Sequence, residues 1–262
     1  MSQTLKARLR AGETLFGTIL TLGAPEVAEL LGGAGFDWLF VDAEHGALQP
    51  GDVLRILQAV GSRTPCLVRT PGLDPAWIKR ALDAGADGII VPQVETAVEA
   101  ERIVQLCHYP PGGGRGLGTA RANRYGLGMA GHLEDAAARV TVVVQAETVK
   151  AVQNIAAIAA VPGLDAVFVG PYDLSASMGL AGQVEDPDVV AAIGRVGSAC
   201  RAAGVRTGIF AMTVDGLQRH VREGFTLLAA GVDVVLLGTA AENLVHRFRL
   251  TVDPSSVRTA PT

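Results

Sequence analysis

Trp38-Leu39-Phe40-Val41-Asp42-Ala43-Glu44-His45 is a short apolar run that ends in two acids and an imidazole. The same design recurs in Val142-Val143-Val144-Gln145-Ala146-Glu147 and in Val167-Phe168-Val169-Gly170-Pro171-Tyr172-Asp173. Short unbroken apolar runs suit parallel strands buried on both faces. If such strands close into a barrel, polar residues at their C-terminal ends share one mouth, where barrels of this type gather their chemistry. The pattern predicts a parallel α/β barrel and an enzyme.

Strand-like runs alternate with helix-like ones along the chain, which argues for a parallel sheet with right-handed crossovers. The strands are read at Leu15–Leu20, Trp38–Asp42, Cys66–Arg69, Gly88–Pro92, Val140–Glu147, Val167–Gly170 and Arg206–Phe210. Helices are expected at Pro25–Gly32, Asp52–Val60, Asp74–Ala84, Ala97–Cys107, Thr148–Ala160 and Asp188–Ala203. Ala-Gly-X-Asp recurs at Ala34–Asp37 and Ala84–Asp87, where Gly ends a helix and the next strand follows Asp. An echo at Ala230–Asp233 is ambiguous. By composition Val234–Gly238 reads as the last strand, although Phe225–Ala230 could be the eighth strand with a helix over Asp233–Phe248. Tyr109–Gly131 is a long irregular stretch, of the kind that is functional or serves as a packing arm.

The 262 residues fit one barrel or two smaller domains, and such a chain buries roughly three quarters of its unfolded surface. A net charge of −4 with no basic stripe argues against nucleic acid. No stretch reaches the ~18 apolar residues of a membrane span, and the N-terminus has no apolar signal core. Cys66, Cys107 and Cys200 form no CxxC and read as small buried hydrophobes in a reducing cytosol. The expected location is cytoplasmic. The polar tail after Leu250 is expected to fray.

Glu147 and Asp173 could hold a hard divalent cation, or could be two helix-capping acids. His45 beside Asp42 and Glu44 is suited to shuttle a proton, or is a turn histidine bonded to backbone. Arg69 directly follows an apolar strand, so it either pairs structurally or stabilises an oxyanion at the mouth. The only lysines are Lys6, Lys79 and Lys150, none in an expected strand. Schiff-base chemistry is therefore disfavoured, and enolate chemistry would need a metal. Gly112–Gly118 fits neither nucleotide-binding pattern, so no nucleotide cofactor is expected. Arg121, Arg124 and Tyr125 could meet an anionic substrate or form an inter-subunit patch.

The phrases Phe40–Gly46, Val68-Arg69, Tyr109-Pro110-Pro111 with Gly114-Arg115-Gly116, Gln145–Thr148 and Gly170–Ser175 span about Leu5–Phe248. As an ordered set they resemble the HpcH/HpaI family of class II, metal-dependent 2-oxo acid (pyruvate) aldolases. The resemblance implies a single-domain (β/α)8 TIM barrel over residues 1–250, with a tail over 251–262. It favours Phe225–Ala230 as strand eight, a C-terminal helix exchanged between subunits, and a hexamer built as a trimer of dimers. It makes Glu147 and Asp173 ligands of Mg, Mn or Co, with Gln145, Gly170, Pro171, Tyr172 and Asp173 holding the pyruvate part. It makes Arg69 the enolate-stabilising group and His45 the general acid/base, tuned by Asp83 or by the nearer Asp42. Arg121 is a candidate at the acceptor end. Tyr172 departs from the small residue of some relatives, which alters the room near pyruvate. The implied reaction is reversible cleavage of a 4-hydroxy-2-oxo acid to pyruvate and an aldehyde. Rival readings are a related lyase acting on an acyl-CoA ester, and a catalytically silent barrel.

Overall fold

A computed structural model describes residues 3–252. Among them eight strands close, in sequence order, into one parallel barrel. They are β1 (Leu15–Leu20), β2 (Trp38–Asp42), β3 (Cys66–Arg69), β4 (Gly88–Val91), β5 (Thr141–Ala146), β6 (Ala166–Val169), β7 (Arg206–Ala211) and β8 (Leu227–Val232). β8 pairs with β1, so no strand edge is left open. The expected (β/α)8 barrel is what the chain forms.

The two-residue alternation of each strand sorts its side chains into two cores. Leu39, Val41, Val68, Ile89, Val142, Val144, Val167 and Ile209 face outward and pack under the helices. Trp38, Phe40, Leu67, Ile90, Val143 and Phe168 face inward and fill the barrel. Phe168 lies edge-on to Phe40 at 5.5 Å between ring centroids. Gly208 gives it room, since a Cβ there would stand 2.5 Å from Phe168 Cδ2 and 2.7 Å from the Leu227 carbonyl oxygen. The outer helices begin where the sequence supplies caps: Asp74, Thr96, Asp186 and Thr213 each accept a backbone N–H from the first turn of the helix they precede.

The N-terminal end of the barrel is plugged by a helix the sequence reading passed over, Leu5–Ala11, whose Leu5 and Leu9 join the interior core. Its buried Lys6 donates to the Val140 carbonyl at 2.8 Å and lies 3.1 Å from Asp165. The aspartates of the repeated phrase are structural here. Asp37 accepts the N–H of Phe16, and Asp87 that of Cys66, so each ties the start of one strand to its neighbour.

The eighth strand that the resemblance favours is the one that forms, shifted to Leu227–Val232, and Val234–Gly238, which composition alone suggested, lies within the helix Asp233–Val252 because β8 has already closed the barrel. Two other expectations are corrected. Thr148–Ala160 breaks at Asn154 into Val149–Gln153 and Ile155–Ala159. Within Tyr109–Gly131 a 3-10 turn forms at Arg121–Asn123, and the helix Met129–Arg139 begins. Thr251 and Val252 extend the last helix, and the rest of the expected tail lies outside the described residues. No helix among the described residues is long and apolar enough to cross a membrane.

Asp233 marks the seam between β8 and β1. Its buried carboxylate accepts the backbone N–H groups of Thr21 and Leu22 at 2.9 and 2.8 Å and the Thr21 hydroxyl at 2.7 Å. Asp233→Ala leaves these donors without an acceptor and is expected to lower stability by about 2 kcal/mol, read as a lower denaturant midpoint. An unchanged midpoint would remove Asp233 from the closure of the barrel.

Candidate active site at the barrel mouth

The inward-facing series of each strand continues beyond the apolar interior into polar side chains. On β2 it runs Trp38, Phe40, Asp42; on β3, Leu67, Arg69; on β5, Val143, Gln145 and then Glu147 just past the strand. Asp42, Arg69, Gln145 and Glu147 are all buried. Their convergence follows from strand parity and closure alone.

Arg69 is the hub. Nε and Nη2 donate to the two oxygens of Asp42 at 2.9 and 2.6 Å, and the guanidinium sits 5.0 Å above the Phe40 ring. Nη1 makes only a 3.4 Å contact with Gln145 Oε1. Burial pulls the pKa of this guanidinium down, but hydrogen bonding and attraction to Asp42 outweigh it and leave the pKa raised. Asp42 also accepts the backbone N–H of Glu44 at 3.0 Å and of His45 at 3.3 Å, which shapes the turn after β2.

Glu44 lies 3.2 Å from Arg69 Nε, whose hydrogen is directed to Asp42. Its buried Oε2 therefore accepts no hydrogen bond. Burial raises the Glu44 carboxyl, Arg69 and His45 oppose that, and the charges of Asp42 and Asp173 add to it. Glu147 is pushed up to about 7, first by burial and then by the charges of Glu44 and Asp173, against a backbone hydrogen bond from Gln93. Gln93 N donates to Glu147 Oε1 at 2.7 Å, and Gln145 Nε2 donates to Glu147 Oε2.

Gly170 ends β6 against this cluster, where a Cβ would stand 2.7 Å from both Gln145 Nε2 and Glu147 Oε2. Pro171 then starts the helix Pro171–Ser177, which carries Tyr172 and Asp173 exposed in its first turn. Two raised carboxyls, one of them with an orphaned buried oxygen, and an exposed third are hard donors short of positive charge, of the chemical type that could hold a divalent cation. Among the described residues, no three His, Cys, Asp or Glu side chains are gathered closely enough to form a complete metal site.

His45 stands at the rim with its side chain 60% exposed, and its Nε2 is 3.9 Å from Glu44. Neither expected tuning partner meets the imidazole within the chain. Asp42 is committed to Arg69, and Asp83 pairs with Arg115 at 2.7 Å. Asp83 is the last residue of the helix Pro75–Asp83, which runs back to the opposite end of the barrel. Arg121 donates to the carbonyls of Ala84 and Leu57 at 2.9 and 3.0 Å, bracing two helix C-termini at the end of its own barrel away from the mouth.

The sequence placed Glu44 only as a carboxylate beside His45, and left Gln93 without a role. Gln93 has a left-handed backbone, φ 56°, directly after β4, the one strand among β2–β6 given no site residue. That gap was the available signal.

Residues 16–240 match the family model described as HpcH/HpaI aldolase/citrate lyase. The chain is 42% identical over 247 residues to a 4-hydroxy-2-oxovalerate aldolase of Rhodococcus jostii (strain RHA1), covering 94% of this chain and 95% of that one. It is 41% identical over 251 residues to a 4-hydroxy-2-oxo-heptane-1,7-dioate aldolase of Escherichia coli, covering 95% of each. An HpcH/HpaI aldolase/citrate lyase family protein from Burkholderia cenocepacia J2315 superimposes with a TM-score of 0.90 at 38% identity, covering 95% of this chain and 100% of that one. With this barrel, this mouth and these relatives, the chain belongs to the HpcH/HpaI aldolase family.

Proposed function

We propose that the chain is a class II aldolase that reversibly cleaves a 4-hydroxy-2-oxo acid to pyruvate and an aldehyde. The observation that carries this reading is the clamped guanidinium of Arg69 with one free edge. Asp42 engages Nε and Nη2, and Nη1 makes only the long 3.4 Å bond to Gln145 Oε1, so its second N–H can donate to an oxygen on which charge develops. His45, at the rim and beside Glu44, takes the proton of the 4-hydroxyl as the C3–C4 bond breaks. The electron pair of that bond passes into the pyruvate part as an enolate, which Arg69 stabilises. C3 then regains a proton and pyruvate leaves. Gln145 and the backbone from Gly170 to Asp173 border the space in which the 2-oxo acid end would lie.

Glu147 and Asp173 would hold Mg²⁺, Mn²⁺ or Co²⁺, with Glu44 adding negative charge nearby. When bound, such an ion supplies a Lewis acid for the 2-keto group. Chelation is expected to abolish pyruvate release from 4-hydroxy-2-oxo acids, and Mg²⁺ or Mn²⁺ to restore it. Full activity in chelator, or borohydride trapping of an imine, would overturn the reading.

The raised carboxyl of Glu147 sets a pH dependence for metal binding. A proton and a cation compete for the same oxygens, so affinity grows as the proton leaves. With a pKa of about 7, Mn²⁺ affinity measured by titration calorimetry should rise about tenfold from pH 6 to pH 8. Affinity independent of pH over this range would show that Glu147 is already ionised at pH 6 and that its carboxyl is not raised to about 7.

We also propose a cytoplasmic homo-oligomer, a hexamer built as a trimer of dimers that exchange the helix Asp233–Val252. Of its residues only Asp233 is buried, while Val234, Leu236, Leu237, Leu244, Val245 and Phe248 stand exposed on the single chain. Covering six such side chains contributes on the order of 10 kcal/mol. Light scattering should give a mass well above 27.1 kDa, and Leu244→Asp should shift it toward the monomer. A monomeric wild-type chain would refute the exchange.

A further inference from the structure

The mouth has two unlike sides. Its polar groups come from β2, β3 and β5 and from the turn after β6, whereas on the β7, β8 and β1 side the polar pair Thr21 and Asp233 is hydrogen-bonded to itself at the seam. The last inward residues of β1, β7 and β8 are Ile19, Phe210 and Val232, all packed on the apolar interior. Met212 follows Phe210 in the inward alternation and is 42% exposed. Tyr172 adds an aromatic face, its ring centroid 6.3 Å from that of Phe210.

Charge separates the two sides further. The segments joining each described strand to its following helix contain no lysine or arginine. Arg69 is committed to Asp42, and Lys150, one residue into the helix after β5, pairs with Glu95 at 3.0 Å. An acceptor tail bearing a carboxylate would meet an apolar wall and the negative field of Glu44 and Asp173, with no counter-ion from this chain. An alkyl or aromatic tail would lose only hydration there, which favours binding.

We propose that the side formed by Ile19, Tyr172, Phe210, Met212 and Val232 receives the aldehyde portion of the substrate, and that it selects uncharged alkyl or aromatic aldehydes over carboxylate-bearing ones. This inference rests on the aldolase reading. It is tested with the full-length protein, Mn²⁺ and pyruvate, by comparing kcat/KM for aldol addition to hexanal, benzaldehyde and succinic semialdehyde. Either apolar aldehyde should exceed succinic semialdehyde by about tenfold or more, the range that hydrophobic pocket contacts supply. Met212→Arg places a cation on the wall and should move the ratio toward succinic semialdehyde. A ratio read within one preparation is insensitive to loss of folded protein.

Equal or better use of succinic semialdehyde by the wild type overturns the inference, including the case where a neighbouring subunit supplies the cation. An unmoved ratio in Met212→Arg overturns the assignment of the wall. Exchange of the pyruvate methyl protons with deuterium oxide needs no aldehyde and separates the two readings. Exchange together with preference for the charged acceptor defeats the acceptor inference alone. Absence of exchange defeats the aldolase reading and this inference with it.

Discussion

A strand in a closed barrel has one face toward the interior and one toward the helices, and it changes face with every residue. That constraint decides most of this molecule. Once Trp38, Phe40, Leu67 and Val143 are committed to the interior, Asp42, Arg69 and Gln145 must also point inward, one step nearer the mouth. No separate device is needed to assemble the cluster. The interior below it is filled with rings and aliphatic side chains, so the polar layer rests on a dry floor in which its interactions are little screened. Arg69 uses that floor directly through the Phe40 ring. The register of β2 against β3, with Asp42 opposite Arg69, then sets the pair side by side.

The same burial makes the cluster costly to keep. One guanidinium serves Asp42 and Glu44, and Glu147 is pushed up by burial and by its acidic neighbours. A fold selected for stability alone would replace several of these carboxyls by apolar residues. Their retention is intelligible if a cation joins them, because each unfavourable pairing of acids then becomes a pair of ligands. The strain at Gln93 belongs to the same account. A left-handed non-glycine backbone puts its N–H on Glu147 and holds one oxygen of that carboxylate, which fixes the direction of the other.

How much could be read from the sequence follows from what each signal encodes. Seven strands were legible because short apolar runs alternate regularly with helix-like segments, and in β2, β3 and β5 the run leads into the polar residues Asp42, Arg69, Gln145 and Glu147. The eighth strand was not, because Leu227–Val232 and Val234–Gly238 have nearly the same composition and only closure against β1 distinguishes them. The repeated Ala-Gly-X-Asp phrase was ambiguous in its third copy for a related reason. In the first two copies the aspartate opens a strand, whereas Asp233 follows β8 and ties its end to Thr21 and Leu22. The resemblance attached Asp83 and Arg121 to a mouth, whereas within one chain they stand at the other end of the barrel. A motif's position along the chain does not reveal which end of a barrel it reaches, since strand ends and helix ends alternate between the two.

Those misplaced residues point to how the charges are arranged along the barrel axis. At the N-terminal end acids and bases are matched: Arg8 with Asp37, Lys6 and Arg10 with Asp165, Arg115 with Asp83, and Arg121 on two helix carbonyls. At the C-terminal end Glu44, Glu147 and Asp173 share one arginine that is already bound to Asp42. The formal charge of −4 therefore conceals a balanced base and a negative mouth. The balanced end, plugged by Leu5 and Leu9, carries stability and can tolerate little change. The unbalanced end would attract a divalent cation, if the proposed function holds, and with it the carboxylate of a 2-oxo acid. A second anionic group beyond the reach of that cation would face the field with nothing to offset it. The apolar composition of the β7–β8–β1 side is the complement of that field, since it asks the remaining part of the substrate for no charge.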